Sequence, residues 1–186
     1  MSEIRVDNIT NEAGTGKPGF PNGITATGAA LTDPEITGGI YLGGTGSANY
    51  LEDYEEGTWT PEYRARDTNF SSISYNNQEG SYTKIGNTVT VWGRISFSSA
   101  SGGSGQVAIS GLPFAISSSN VRMAGSLSEQ RGWSVTPTYT YTGFDSSNFG
   151  LAYLHSGDTV YQQTTVGDMN LNDSRTAFCV TYQTDS

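Results

Sequence analysis

Gly80-Ser81-Tyr82-Thr83-Lys84-Ile85-Gly86-Asn87-Thr88-Val89-Thr90-Val91-Trp92-Gly93-Arg94-Ile95-Ser96-Phe97 is the stretch that decides the fold. Gly86-Asn87 is a two-residue turn, and glycine in its first position suits the II′ geometry that joins two antiparallel strands. On the return strand Val89, Val91, Ile95 and Phe97 share one face. Thr88, Thr90, Trp92, Arg94 and Ser96 share the other, which is the period of a half-buried strand. Gly93 interrupts the apolar face and is expected to mark a bulge.

The same pattern continues on both sides. From Tyr63 onward the chain reads as about eight to ten short strands, the range of a two-sheet sandwich. Residues 98–105 are expected to form a flexible loop. Residues 106–110 make a brief strand with Val107 and Ile109 inward, ended by Gly111-Leu112-Pro113-Phe114, because Pro113 cannot donate to a ladder. Val121, Met123, Gly125 and Leu127 alternate. Residues 132–141 read as a strand with Trp133, Val135, Pro137, Tyr139 and Tyr141 on one face, and Pro137 suggests a sheet edge. Residues 150–154 and 158–165 pair across Ser156-Gly157. The last strand sets Phe178, Val180 and Tyr182 on one face, and its lone Cys179 is expected to be a small buried hydrophobe.

Composition agrees with an all-β chain. Only 34% of the residues are hydrophobic and 24 are glycine, so β-branched and aromatic side chains must make the core. No run of helical length shows amphipathic spacing with caps. No apolar stretch approaches the ~20 residues that span a membrane. Met1-Ser2-Glu3-Ile4-Arg5 carries no secretory pattern, so a soluble protein made in a cytosol is expected, without membrane insertion.

Charge divides the chain. Residues 1–62 hold ten acids against two bases, whereas residues 63–186 hold eight acids and seven bases. This sign of charge argues against nucleic acid as a partner. Residues 1–56 read as an extended arm, and residues 57–186 as the sandwich. The arm has small apolar islands, Ile4, Val6 and Ile9, then Phe20, then Ile40, Tyr41 and Leu42, set among Gly-rich turn chemistry. Islands of this size cannot form a core within one chain. They gain burial when several copies wind together or when the arm docks on a partner, and a disordered leader is the alternative.

Chemistry is sparse. His155 is the one histidine and sits beside a turn, where it reads as a surface residue. The carboxylates of residues 51–62 match no metal loop and read as a solvated run. No zinc cluster, phosphate loop or nucleophile elbow is present. The acids of the sandwich fall mainly in turns, which gives a polysaccharide-cleaving carboxylate pair no positive support. No enzyme, cofactor or metal is therefore expected. The aromatic residues carry more information. Trp92 faces away from Val89 and Val91, and Trp133, Tyr139 and Tyr141 form a second row. Such rings beside Ser and Thr hydroxyls suit sugar stacking, and they equally suit core or subunit-interface packing.

Several segments resemble a family of tail-fibre and virion structural proteins of bacteriophages, particularly marine phages. They are Ser2–Ile9 with Ala13–Ile24, the run Tyr41–Pro61, the Tyr82-Thr83-Lys84-Ile85-Gly86 segment, and Gly103–Phe114 with its Gly111-Leu112-Pro113-Phe114 end. The resemblance implies a virion component assembled in the host cytoplasm. It implies a homotrimer attached to other virion proteins by its N-terminal part, with the β-module facing outward. Residues 57–186 are expected to form that module as a jelly-roll-like sandwich. It carries no catalytic residues. Leader and module are nearly adjacent here, without a long shaft. The expected role is a short tail fibre or receptor-binding subunit that meets a host-surface glycan or protein. A capsid decoration or head fibre is the alternative, and a depolymerase is a third.

Overall fold

The computed structural model describes residues 39–118, 123–143, 145–153 and 158–185. The chain divides into two units, Met1–Thr37 and Gly38–Ser186, and the described residues all belong to the second. Ile4, Val6, Ile9 and Phe20 of the arm, with Val121 and His155, lie outside the described residues.

Twelve strands are present among the described residues. In chain order they are β1 (Ile40–Tyr41), β2 (Tyr50–Leu51), β3 (Tyr54–Trp59), β4 (Glu62–Ala65), β5 (Thr68–Ile85) and β6 (Thr88–Ser104). Then follow β7 (Val107–Ser110), β8 (Ala124–Arg131), β9 (Tyr139–Thr142), β10 (Asn148–Tyr153), β11 (Gln162–Gln163) and β12 (Ser174–Gln183). β1 and β2 form a small antiparallel ribbon. The others make two five-stranded sheets. One runs β3-β5-β6-β12-β8; in the other β10 lies between β9 on one side and β7 and β11 on the other, and β7 leads on to β4. The chain crosses from sheet to sheet at most connections, as it does in jelly rolls. The protein is an all-β sandwich.

The deciding hairpin forms as its sequence dictates. Ile85 pairs with Thr88 across Gly86-Asn87. Gly86 takes φ +57°, and Asn87 is not left-handed, the II′ arrangement. That turn fixes the register, and Val89, Val91, Ile95 and Phe97 all lie buried. β12 pairs along β6 from Ser174↔Phe97 to Gln183↔Thr88 and adds Phe178, Val180 and Tyr182 to the same inner face. The second sheet answers with Tyr63, Ala65, Val107, Ile109, Phe149 and Leu151. Rings tie the layers edge to face: Tyr63 lies 5.6 Å from Phe97, and Phe149 lies 5.2 Å from Phe178.

Four expectations need correction. Residues 98–104 are strand, not loop, because Thr68–Ile85 runs alongside them and supplies partners from Thr68↔Ser104 to Ser74↔Ser99. Their polar sequence hides this, since tertiary pairing overrides local preference. Gly93 marks no bulge. It pairs regularly with Gly80 and Phe178, and a Cβ there would stand 2.3 Å from the Phe178 Cζ, so glycine makes room for the ring. Residues 132–138 form no named strand. Gly132 turns the chain at φ +75° where any Cβ would meet the Asp173 carbonyl, and only Tyr139–Thr142 reaches the sheet. Cys179 is half-buried, since the parity that sends Phe178 and Val180 inward turns it outward, across from Trp92 and Ser126.

Candidate binding site

The tyrosines of β9 are placed by strand parity. Tyr139 stands directly across from Ala152, and Tyr141 across from Gly150. The alternate residues Phe149 and Leu151 point into the core, so both tyrosines lie on the outer face of their sheet. Gly150 is what allows this packing. A Cβ there would fall 2.0 Å from the Tyr141 Cζ, so the ring rests against bare backbone. Tyr161, just before β11, brings a third ring whose centre is 6.0 Å from that of Tyr141 at a tilt of 31°.

These residues enclose a pocket of about 280 Å³ lined by Tyr139, Thr140, Tyr141, Ala152, Thr159 and Tyr161. Tyr139 and Tyr161 are both 48% exposed. The Tyr141 hydroxyl is buried and has no hydrogen-bond partner among the described residues. Burial pushes its pKa up to about 12, the nearby Tyr161 phenol adds to the rise, and the positive charge of Arg66 opposes it. It is therefore a neutral phenol, able to donate or accept. The described lining residues supply aromatic rings and hydroxyls, the parts for stacking and hydrogen bonding. Among the described residues no cluster of three His, Cys, Asp or Glu side chains could hold a metal ion.

Trp92 occupies a second surface. It is 43% exposed at the centre of the outer face of the first sheet, flanked by Ser81 on β5 and Cys179 on β12. Thr90 and Thr181 add hydroxyls, 3.0 Å apart, one cross-strand pair further along. Trp92 and Ser81 line two shallow depressions of this face, one bounded by Glu79 and Arg94 and the other by Glu56, Thr58 and Thr83. The face is more open than the tyrosine pocket.

Trp133 belongs with neither surface. Its indole N–H donates to the Arg175 carbonyl at 3.2 Å, and its ring packs 6.2 Å from Tyr63 against the core. Its task is to close one end of the sandwich. Ile40 pairs with Leu51 in the β1–β2 ribbon, where Tyr41 stacks on Tyr50 with centres 4.8 Å apart. Tyr41 and Leu42 are both more than half exposed. So are Tyr54 and Ile85, which pair with each other at the end of the first sheet.

Sequence reasoning found Tyr139 and Tyr141 and missed Tyr161 and Gly150. Tyr161 lies twenty positions away on another element, and no local periodicity links it to β9. The available signal was Gly150 opposite a tyrosine row, but the pairing that reveals it is tertiary.

Three stretches, residues 41–61, 82–86 and 103–114, meet at one point of the fold. Lys84 is buried, bonded to Asp53, with Glu55 at 3.9 Å. Its ammonium lies 5.3 Å from the centre of the Phe114 ring. Tyr82 meets that ring edge to face at 5.4 Å, and the Tyr182 hydroxyl donates to the Phe114 carbonyl at 3.0 Å. Three separated stretches thus spend their distinctive side chains on holding the sandwich together. No family model matches the chain, and no curated protein matches it in sequence.

Proposed function

We propose that the chain is a structural subunit of a bacteriophage particle, a short tail fibre or receptor-binding protein, that holds a host-surface glycan in the tyrosine pocket. The observation that carries this reading is the pocket itself: three rings over a floor of small residues, with one buried hydroxyl left without a partner among the described residues. Sugar rings offer an apolar face for stacking and hydroxyls for hydrogen bonds, and a preformed aromatic site with a few polar groups suits them. The rings and hydroxyls that line the pocket among the described residues are those that binding uses.

The virion assignment rests on the resemblance of the segments that converge on Lys84. A homotrimer fits the large apolar side chains left exposed at the arm-proximal end, Tyr41, Leu42, Tyr54 and Ile85, which neighbouring copies would cover. The N-terminal residues would then join the subunit to other virion proteins.

Antibody labelling of intact particles tests the address. Label at the tail tip supports the reading, and label over the whole capsid replaces it with a head-surface role. A reducing-end assay on host polysaccharide checks the division between binding and cleavage, and product formation would overturn it.

A further inference from the structure

Acids outnumber bases two to one on this chain, 18 against 9, so a cation without an acid is unusual. Among the described residues every cation but one has a carboxylate partner. Arg64 holds Asp145, Lys84 holds Asp53, Arg94 and Arg175 share Glu129, and Arg131 holds Asp173. The exception is Arg66. Its side chain donates only to the neutral Gln106 Oε1, at 3.1 Å, and the residue is exposed.

Its place in the sheet explains why this matters. Tyr141, Gly150, Ala108 and Arg64 form one cross-strand row over β9, β10, β7 and β4. Tyr63 and Ala65 point inward and are buried, so parity sends Arg64 and then Arg66 to the outer face with the tyrosines. Gly150 and Ala108 in that row carry no side chain beyond a methyl group, and Arg66 lies one step along, beside Gln106. The Arg66 charge lies within electrostatic reach of the Tyr141 phenol and works, as the smallest of three influences, against the rise that burial causes.

We infer that the tyrosine pocket takes an acidic sugar, with Arg66 meeting its anionic group while the Tyr139 and Tyr161 rings hold the sugar face. This rests on the glycan-binding reading and narrows it. A guanidinium presents a fork of donors that a carboxylate or a phosphate accepts in pairs. Arg64, tied to Asp145 at 2.7 Å, is not needed for this task.

The test is an array of matched glycans read with the full chain. It carries uronic and sialic acid glycans beside their carboxyl-reduced forms, and phosphorylated glycans beside their dephosphorylated forms. Retention of acidic glycans over their neutral partners is expected. The carboxylate and phosphate arms then identify the anion. Arg66→Gln, a surface change that should leave the melting temperature alone, is expected to weaken retention about tenfold. Added salt should weaken the wild type and have less effect on the variant. Equal retention of acidic and neutral partners, or no effect of Arg66→Gln, overturns the acidic-sugar inference and leaves the glycan site standing. If no glycan of either kind is retained, both fall.

Discussion

The buried ammonium of Lys84 lies 5.3 Å from the centre of the Phe114 ring, across thirty positions of sequence. Asp53 and Glu55 complete the cage, and they remain partly in water, with a third and nearly half of their side chains exposed. Removing a partner should therefore cost more than removing the charge. Asp53→Ala leaves a buried ammonium with only a distant carboxylate and should destabilise the fold by about 2–3 kcal/mol, the lower side of what breaking a buried pair costs. Lys84→Met keeps the volume, lets both acids hydrate, and should cost about 1 kcal/mol or less. Denaturant midpoints compare the two, and the reverse order would contradict this account of the cage.

Gly93 exists for the Phe178 ring. A methyl group added there would collide with the ring tip, and that ring also packs against Trp59 and Phe149, at 5.8 and 5.2 Å. Gly93→Ala should lower stability by about 1–3 kcal/mol through overpacking. Phe178→Leu in the same chain should recover part of the loss, so that the double variant is more stable than the sum of the singles predicts.

Alkaline pH should unfold the sandwich through its buried phenols. Burial raises the pKa of Tyr63, Tyr75 and Tyr182 above the ordinary value of 10, with Tyr75 pushed up to about 12. A group whose folded pKa is raised stabilises the fold fully below its unfolded pKa and loses that contribution as pH rises through the folded value. Stability should hold below pH 10 and fall from there toward 12 and beyond. Tyr63 donates to Thr176 at 3.2 Å and Tyr182 to the Phe114 carbonyl. The variants Tyr63→Phe and Tyr182→Phe should each be slightly less stable at neutral pH and show a shallower alkaline decline, read by denaturation at a series of pH values.

The three tryptophans should separate by fluorescence quenching. Trp59 is buried, Trp133 is half-buried against the core, and Trp92 stands open on its sheet. Acrylamide should quench one component readily, and Trp92→Phe should remove that component with little change in stability. Loss of the quenchable component on Trp133→Phe instead would mean that the first sheet is facing the wrong way.

The parts of this fold that were legible in the sequence are those fixed by short-range rules. Gly86-Asn87 sets the turn and the register, and the register sets the face of Val89, Val91, Ile95 and Phe97. Residues 98–104 were not legible, because serine and glycine show no alternation and the partner that makes them a strand begins at Thr68. Residues 132–138 misled in the opposite direction. They alternate well, yet Gly132 breaks the path and Trp133 is drawn to the sandwich end by its hydrogen bond to Arg175. The site divided in the same way. Tyr139 and Tyr141 share a strand and were found together, whereas Tyr161 reaches them only through the fold.

Competition for the host surface tests the glycan-pocket account most directly. Purified full-length protein, mixed with host cells before phage is added, should block adsorption in proportion to its concentration. The Tyr139→Ala/Tyr161→Ala variant should melt close to the wild-type temperature, since both side chains are half exposed, and should lose at least about tenfold in blocking potency, the scale of removing two stacking rings. Trp92→Ala should block as well as wild type. Undiminished blocking by the double tyrosine variant, or its loss in Trp92→Ala alone, would place receptor contact elsewhere on the molecule and contradict the account.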